Sequence, residues 1–383
     1  MSDVVVVGGG IVGAACAYYA AGAGLAVTVV DRGPAGAGTT SRGEGNILVS
    51  DKAPGPELTL ALWSRQLWHQ IGADLGDEPL ELERKGGLVV AATESAMASL
   101  TRFARDQQEA GVDTVPVPAG ALHEHEPHLA PDLAGGVLYG QDLQVQPVAA
   151  AAALLTGARA RGAQVRTGVE AVGLVRDARG GVTGLVTDHG TVPAGAVVNA
   201  TGTWGGVLSE RLGCAVPVLP RRGFILVTEP LPRVVRHKVY SADYVDNVAS
   251  SDAGLETSTV VEGTKGGTVL VGASRERVGY DDAFSPEVVR RLAAQATRIF
   301  PFLARVRVIR TYHGFRPYCP DHRPVIGPDP RVPGVFHACG HEGAGIGLAP
   351  ATGRLLADLL SGAEPGVDPA PYSPGRFLEV ARG

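Results

Sequence analysis

The sequence predicts an α/β protein of two domains, with an α+β second domain. Three observations carry this. At 383 residues the chain is too long for one ordinary hydrophobic core. Its N-terminal window reads strand, glycine turn, helix, strand. Strand-and-glycine stretches of similar character return at residues 196–204 and 334–360.

The N-terminal window is "VVVVGGGIVGAACAYYAAGAGLAVTVVD". A strand at Val4–Val7 leads into Gly8-x-Gly10-x-x-Gly13, then a small-residue helix carrying Ile11 and Val12, then a strand ending in Asp31. The first glycine makes the turn, the second lets backbone approach a pyrophosphate, and the third lets helix and strand pack closely. The helix N-terminus offers unpaired N–H groups to phosphates. Asp31, eighteen residues after Gly13, stands where a carboxylate accepts from a ribose hydroxyl. Motif, strands and acid in this order predict a Rossmann-like dinucleotide-binding domain. Residues 4–30 carry no charge, which a hydropathy plot could read as a membrane span, but six glycines punctuate that window as a turn.

Composition narrows the class. Apolar residues make up 45% of the chain and the net charge is −5, which gives no basic footprint for nucleic acid. The cysteines Cys16, Cys214, Cys319 and Cys339 form no C-x-x-C pair, so neither a zinc site nor a disulfide framework is expected, and a reducing cytoplasm fits. The start "MSDVVVV" lacks the basic residues of a signal peptide. In "LHEHEPHL", His123, His125 and His128 are closely spaced but not at helical i, i+4 intervals, so no metal is expected there.

Three further stretches choose between NAD(P) and FAD. "RGPAGAGTTSRGEGN" (32–46) follows Asp31 with Arg32, Thr39, Thr40, Ser41, Gly45 and Asn46 and almost no apolar side chains, as a loop wrapping an extended cofactor would. "AVVNATGTW" (196–204) is a buried strand ending in Ala200, Thr201 and Gly202, with Trp204 after it. "GVFHACGHEGAGIGLAPATGRLLADLL" (334–360) is a strand, a glycine loop with Gly340, Gly343, Gly345, Ile346 and Gly347, and a helix opening near Leu348. No second GxGxxG follows a strand to serve a separate NAD(P)H site, so FAD is the expected cofactor.

Near the end, "GFRPYCPDHRPVIG" (314–327) sets Pro317, Pro320 and Pro324 around Arg316. Proline removes a donor, so this segment is expected to be a rigid irregular loop and not a central strand.

Together, "GGGIVG…VVD", "GAGTTSRGEGN", "VVNATGTW", "GFRPYCPDHRPVIG" and "GHEGAGIGLAPATG" resemble the FAD-dependent D-amino acid oxidase family. The likeness is to its glycine oxidase, sarcosine oxidase and D-amino acid dehydrogenase branch. It extends to the FAD subunits of hydrogen cyanide synthases, opine oxidases and hydroxyproline dehydrogenases. The resemblance implies a discontinuous FAD domain at residues 1–80, 146–218 and 312–383, with an inserted mixed-sheet substrate domain at 81–145 and 219–311. It places Val169 near the adenine and Arg316 on the substrate carboxylate, a planar fork matched to a planar anion. The alternative for Arg316 is a salt bridge to Asp321 or Asp329.

Other site residues are left with two readings each. Asn46 and Glu44 face the substrate or cap backbone turns. Arg222 is a second carboxylate partner or packs at the flavin edge. His341 touches the flavin or caps a helix. The position of the flavin-bonding cysteine of sarcosine oxidases is Gly314 here, so noncovalent FAD is expected. The oxygen-activating lysine falls near Leu270, with Lys265 in the preceding turn, and the substrate tyrosine of glycine oxidase falls near Val260. Tyr240, Tyr244 and Tyr318 are possible replacements.

The resemblance therefore implies oxidation of the C–N bond of an amino acid or secondary amine. The electrons pass as hydride to flavin N5, and the imine product hydrolyses. The acceptor is oxygen, a quinone or a partner redox subunit, and homo- and hetero-oligomers both remain open. A flavin monooxygenase and a non-catalytic FAD-binding subunit are the alternatives.

Overall fold

The computed structural model describes residues 2–243 and 250–380. Two eight-stranded sheets organise it. From edge to edge the first runs β17 (Val325–Pro328), β18 (Val335–Cys339), β11 (Gly190–Asn199), β1 (Ser2–Val7), β2 (Val27–Asp31) and β8 (Gln164–Thr167), with β9 (Ala171–Arg176) and β10 (Val182–Thr187) paired beyond β11. From β18 to β8 its pairings are parallel. Such a sheet is covered on both faces and needs continuous apolar strands, which "VVVV" and "AVVN" supply. Val4, Val5 and Val6 are fully buried.

The second sheet runs β16 (Val308–Tyr318), β12 (Leu219–Thr228), β15 (Val269–Arg275), β14 (Glu256–Gly263), β13 (Lys238–Ser241), β4 (Gly87–Ala91), β6 (Gly135–Tyr139) and β5 (Val115–Pro118). It is antiparallel except where β13 meets β4. A short pair, β3 (Asn46–Ile47) with β7 (Leu143–Gln144), completes the strands. The chain thus visits the first sheet, crosses to the second, returns, crosses again and returns, giving the mixed α/β architecture expected.

The segment read as an irregular loop, 314–327, is irregular over residues 319–324 and differs from that expectation at its two ends, which are strands. Residues 308–318 form one strand, and residue 312, where a boundary was expected, lies inside it. Pro317 is tolerated because β16 is the edge of its sheet, where a missing N–H breaks no ladder, and Pro320 lies in the turn after it. Its register sets Arg316 opposite Arg221 and Gly314 opposite Gly223. Pro324 precedes the edge strand β17 for the same reason.

Helix α1 (Ile11–Gly22) packs against the C-terminal helix Gly345–Ser361, which opens three residues earlier than expected. The approach is close because Gly353 has no Cβ: one would lie 2.6 Å from the Ala15 carbonyl oxygen. Trp68 and Ser64, on the helix Pro56–Leu75, donate to the carbonyl of Gly347 and fix where that last helix starts. No helix among the described residues is long and apolar enough to cross a membrane.

Candidate active site

A cavity of about 360 Å³ lies between the two sheets and receives residues from both. Its first wall is the turn after β1. Gly8 has φ +109°, and a Cβ on Gly13 would overlap the Gly8 carbonyl oxygen, so both positions require glycine. Gly10 begins α1 without a side-chain cap, and the Ile11 N–H donates to Thr40 Oγ1 at 3.0 Å. The first turn of the helix, with Val12, faces the cavity. Asp31, at the end of β2, accepts from the Gly9 N–H at 2.6 Å and the Gly33 N–H at 2.8 Å. The same residue lines the cavity, so Asp31 braces the glycine turn and borders the space beside it.

The expected cofactor residues divide into two groups. Arg32, Thr39, Val169, Ala200, Thr201 and Gly202 line the cavity, as do Trp204, Gly314, Gly343, Gly345 and Ile346. The Arg32 guanidinium lies 4.4 Å from the Trp204 ring, and Thr39 Oγ1 donates to the Phe315 carbonyl at 2.9 Å. Gly13, Ser41, Gly45, Gly340 and Gly347 support the wall from behind. Ser41 Oγ donates to the Ala37 carbonyl, closing its own turn. A Cβ on Gly45 would overlap the Val145 carbonyl oxygen. Gly340 (φ +75°) packs on Val325 and Cys319, and Gly347 on the Asn46–Ile47 backbone.

The substrate candidates separate too. Arg316 enters the cavity from β16, and its Nη1 donates to the Ser274 carbonyl at 2.7 Å. The anions suggested as its internal partners are engaged elsewhere: Asp321 with Arg376 at 2.6 Å, and Asp329 with Arg331 at 2.5 Å. Asn46 and Glu44 line the same cavity, and Asn46 Nδ2 donates to Glu44 Oε2 at 3.3 Å. Burial raises the Glu44 carboxyl above its usual range, against the opposing pull of Lys238 and Arg316. His341 is buried at the wall, and burial pushes its pKa down to about 3, so the ring is neutral. Thr352 Oγ1 donates to the Leu348 carbonyl and accepts from His341 Nε2 at 2.9 Å, which leaves the imidazole proton on Nε2.

Arg222 is not at the cavity. It pairs with Glu276 and Asp281, each at 2.9 Å, and donates to the Ala283 carbonyl. Tyr240 is buried and bonds the Ser50 hydroxyl, and Tyr318 is buried beside Arg221 and Arg277. Neither lines the cavity, and Tyr244 lies outside the described residues. Lys265 pairs with Glu78 at the surface.

Sequence reasoning missed Arg42, Gly43, Gly223, Ile225, Phe315 and Glu342, all of which line the cavity. Gly223 had a signal, an isolated glycine inside a strand, which marks a close approach. A Cβ there would overlap Arg316 Nη1, so Gly223 makes the space in which that guanidinium sits.

The three histidines of "LHEHEPHL" do not converge. His123 contacts the Pro127 carbonyl, His125 the ring of His237, and His128 that of Phe302. Cys214, Asp329 and His337 do meet in the interior. Asp329 is already held by Arg331 and His337, and burial pushes the Cys214 thiol up to about 12, a poor ligand set for a cation.

The side-chain-free glycine turn, the helix N-terminus above it and the long cavity running on to Arg316 fit a dinucleotide with a further ring system. A model of the DAO family, FAD dependent oxidoreductases, matches residues 3–359. The chain belongs to this family. Members of the family bind FAD, and this protein is an FAD-dependent oxidoreductase. A glycine oxidase from Pseudomonas putida is 32% identical over 97% of this chain and 98% of its own. The hydrogen cyanide synthase subunit HcnC of Pseudomonas aeruginosa is 28% identical over 98% of this chain and 96% of its own. Among solved structures, glycine oxidase from Geobacillus kaustophilus superposes with a TM-score of 0.87 at 29% identity, covering 97% of this chain and 98% of its own. The L-proline dehydrogenase of P. horikoshii reaches 0.90 at 25% identity, covering 99% and 98%.

None of the four cysteines lines the cavity, and Gly314 packs on the Arg42 side chain. Acid precipitation is therefore expected to release all FAD into the supernatant; flavin in the pellet would show a covalent bond. Asp31→Ala removes the acceptor of two half-buried backbone N–H groups along with the carboxylate expected at the ribose. It should weaken FAD retention by about 1–3 kcal/mol, measured by flavin fluorescence on dilution.

Proposed function

We propose that the protein oxidises the C–N bond of a small amino acid or N-substituted amino acid held by its carboxylate on Arg316. The observation that carries this reading is the Arg316 side chain, brought into the cavity by β16 and fixed there through Ser274. Bound FAD supplies the two-electron acceptor that such an oxidation requires. The chain supplies position. A bidentate guanidinium–carboxylate pair fixes a plane, and with it the direction of the substrate's α-carbon. Ile225 and Phe315 form apolar wall beside the arginine, and exclusion of water there strengthens the pair. The imine formed by oxidation hydrolyses in water, so no catalytic dyad is needed for that step, and the neutral His341 is held by Thr352 as wall, not as acid.

The printed names of relatives point the same way: glycine oxidases, an L-proline dehydrogenase and an iminodiacetate oxidase all take small substrates with a carboxylate. Anaerobic mixing with glycine, sarcosine, D-amino acids, D-hydroxyproline, L-proline and iminodiacetate, with flavin absorbance followed, tests it. Bleaching by at least one is expected. Bleaching by none of them, with NADPH reducing the flavin instead, would replace this reading by a monooxygenase.

A further inference from the structure

Glu44 has a setting that carboxylate binding by Arg316 does not explain. It lies at the cavity wall, 6% exposed, with Oε1 lacking any hydrogen-bond partner; Asn46 Oδ1 beside it lacks one as well. Unpartnered buried acceptors are costly and call for a donor. The nearest ammonium, Lys238 Nζ, stands 4.0 Å from Oε1 but 2.5 Å from Glu262 Oε2. Gly272 shapes the site, since a Cβ there would lie 2.6 Å from Oε1.

The charges around Glu44 come from three strands: Lys238 on β13, Glu262 on β14, and Arg316 on β16, with the Tyr312 hydroxyl also on β16. With the Lys85–Glu83 pair that lies beside Glu262, three cations and three carboxylates balance. A bare carboxylate bound at Arg316 would leave one negative charge uncompensated in this buried setting. A zwitterion would not, because its ammonium restores the balance.

We propose that Glu44, backed by Asn46, receives the substrate's ammonium and takes a proton from it. This rests on the carboxylate reading of Arg316 and adds the second recognised group: the protein admits α-amino acids as zwitterions. In the step an N–H bond breaks and an O–H bond forms on Glu44, leaving the electron pair on nitrogen as the neutral amine. The raised carboxyl of Glu44 suits it to hold that proton.

Two ligands separate the groups: α-aminoisobutyrate, which has no α-hydrogen to lose, and isobutyrate, which differs from it by the amine. Binding to the FAD-loaded protein is read from the perturbed flavin spectrum. Wild type should bind α-aminoisobutyrate roughly 10- to 100-fold more tightly, the range expected for a hydrogen bond to a charged group. Glu44→Gln should erase that preference, with isobutyrate bound more tightly because the neutral amide removes the charge that opposes it, and Glu44→Asp, which keeps the charge, should retain part of the preference. In Glu44→Gln the acid limb of anaerobic flavin reduction should also move toward the ionisation of the free amino acid. A preference that survives Glu44→Gln, or a limb that stays in place, would overturn the proposal. Isobutyrate binding that is unaffected by Arg316→Lys would overturn the carboxylate reading instead.

Discussion

Arg316→Lys is expected to lower kcat/KM on a carboxylate-bearing substrate by roughly 30- to 1000-fold, the kinetic equivalent of about 2–4 kcal/mol. Lysine keeps the charge and loses the fork, so the loss measures geometry. FAD content and Tm should stay near wild type, because lysine keeps the positive charge that faces Glu44. An amine substrate lacking a carboxylate should barely respond. Steady-state kinetics on such a pair decides the matter: equal losses on both would show that the arginine holds the wall together and not the substrate.

The nucleotide half of the site was legible because its chemistry is backbone chemistry. Gly8, Gly10, Gly13 and Asp31 are tied to one strand–turn–helix unit, so spacing alone locates them. The substrate half was legible only in part, because its residues meet through strand register. "RPYCP" reads as a loop until β16 is known to be an edge, where proline does no harm. In "LPRRGF" the two arginines look alike in sequence. In the fold, Arg221 pairs with Glu342 and Glu256, and Arg222 with Glu276 and Asp281. The residue of that stretch at the cavity is Gly223, whose part is to leave room. Glu44 shows the same limit: "GEGN" does not announce that Lys238 and Glu262 arrive from strands some two hundred residues later.

Gly13→Ala should cost the protein its cofactor. The added methyl would overlap the carbonyl oxygen of Gly8, which is backbone and cannot rotate away. Either α1 moves off β1 or the Gly8 turn shifts. Moving the helix is opposed on its other side, where Gly353 lets the C-terminal helix lie against Ala15. The turn therefore gives way. Its displacement would break the Gly9–Asp31 hydrogen bond and misalign the helix N-terminus where the cofactor's phosphates are expected. Overpacking of this kind costs roughly 1–3 kcal/mol or more, so FAD affinity should fall by about 5- to 150-fold. Purified Gly13→Ala is expected to be pale, with a Tm that recovers only at high added FAD. Gly120→Ala is the control, since a Cβ there meets nothing within 4 Å. A fully yellow Gly13→Ala protein with unchanged FAD affinity would mean that helix and strand separate without disturbing the turn, and that the third glycine of the motif is dispensable here.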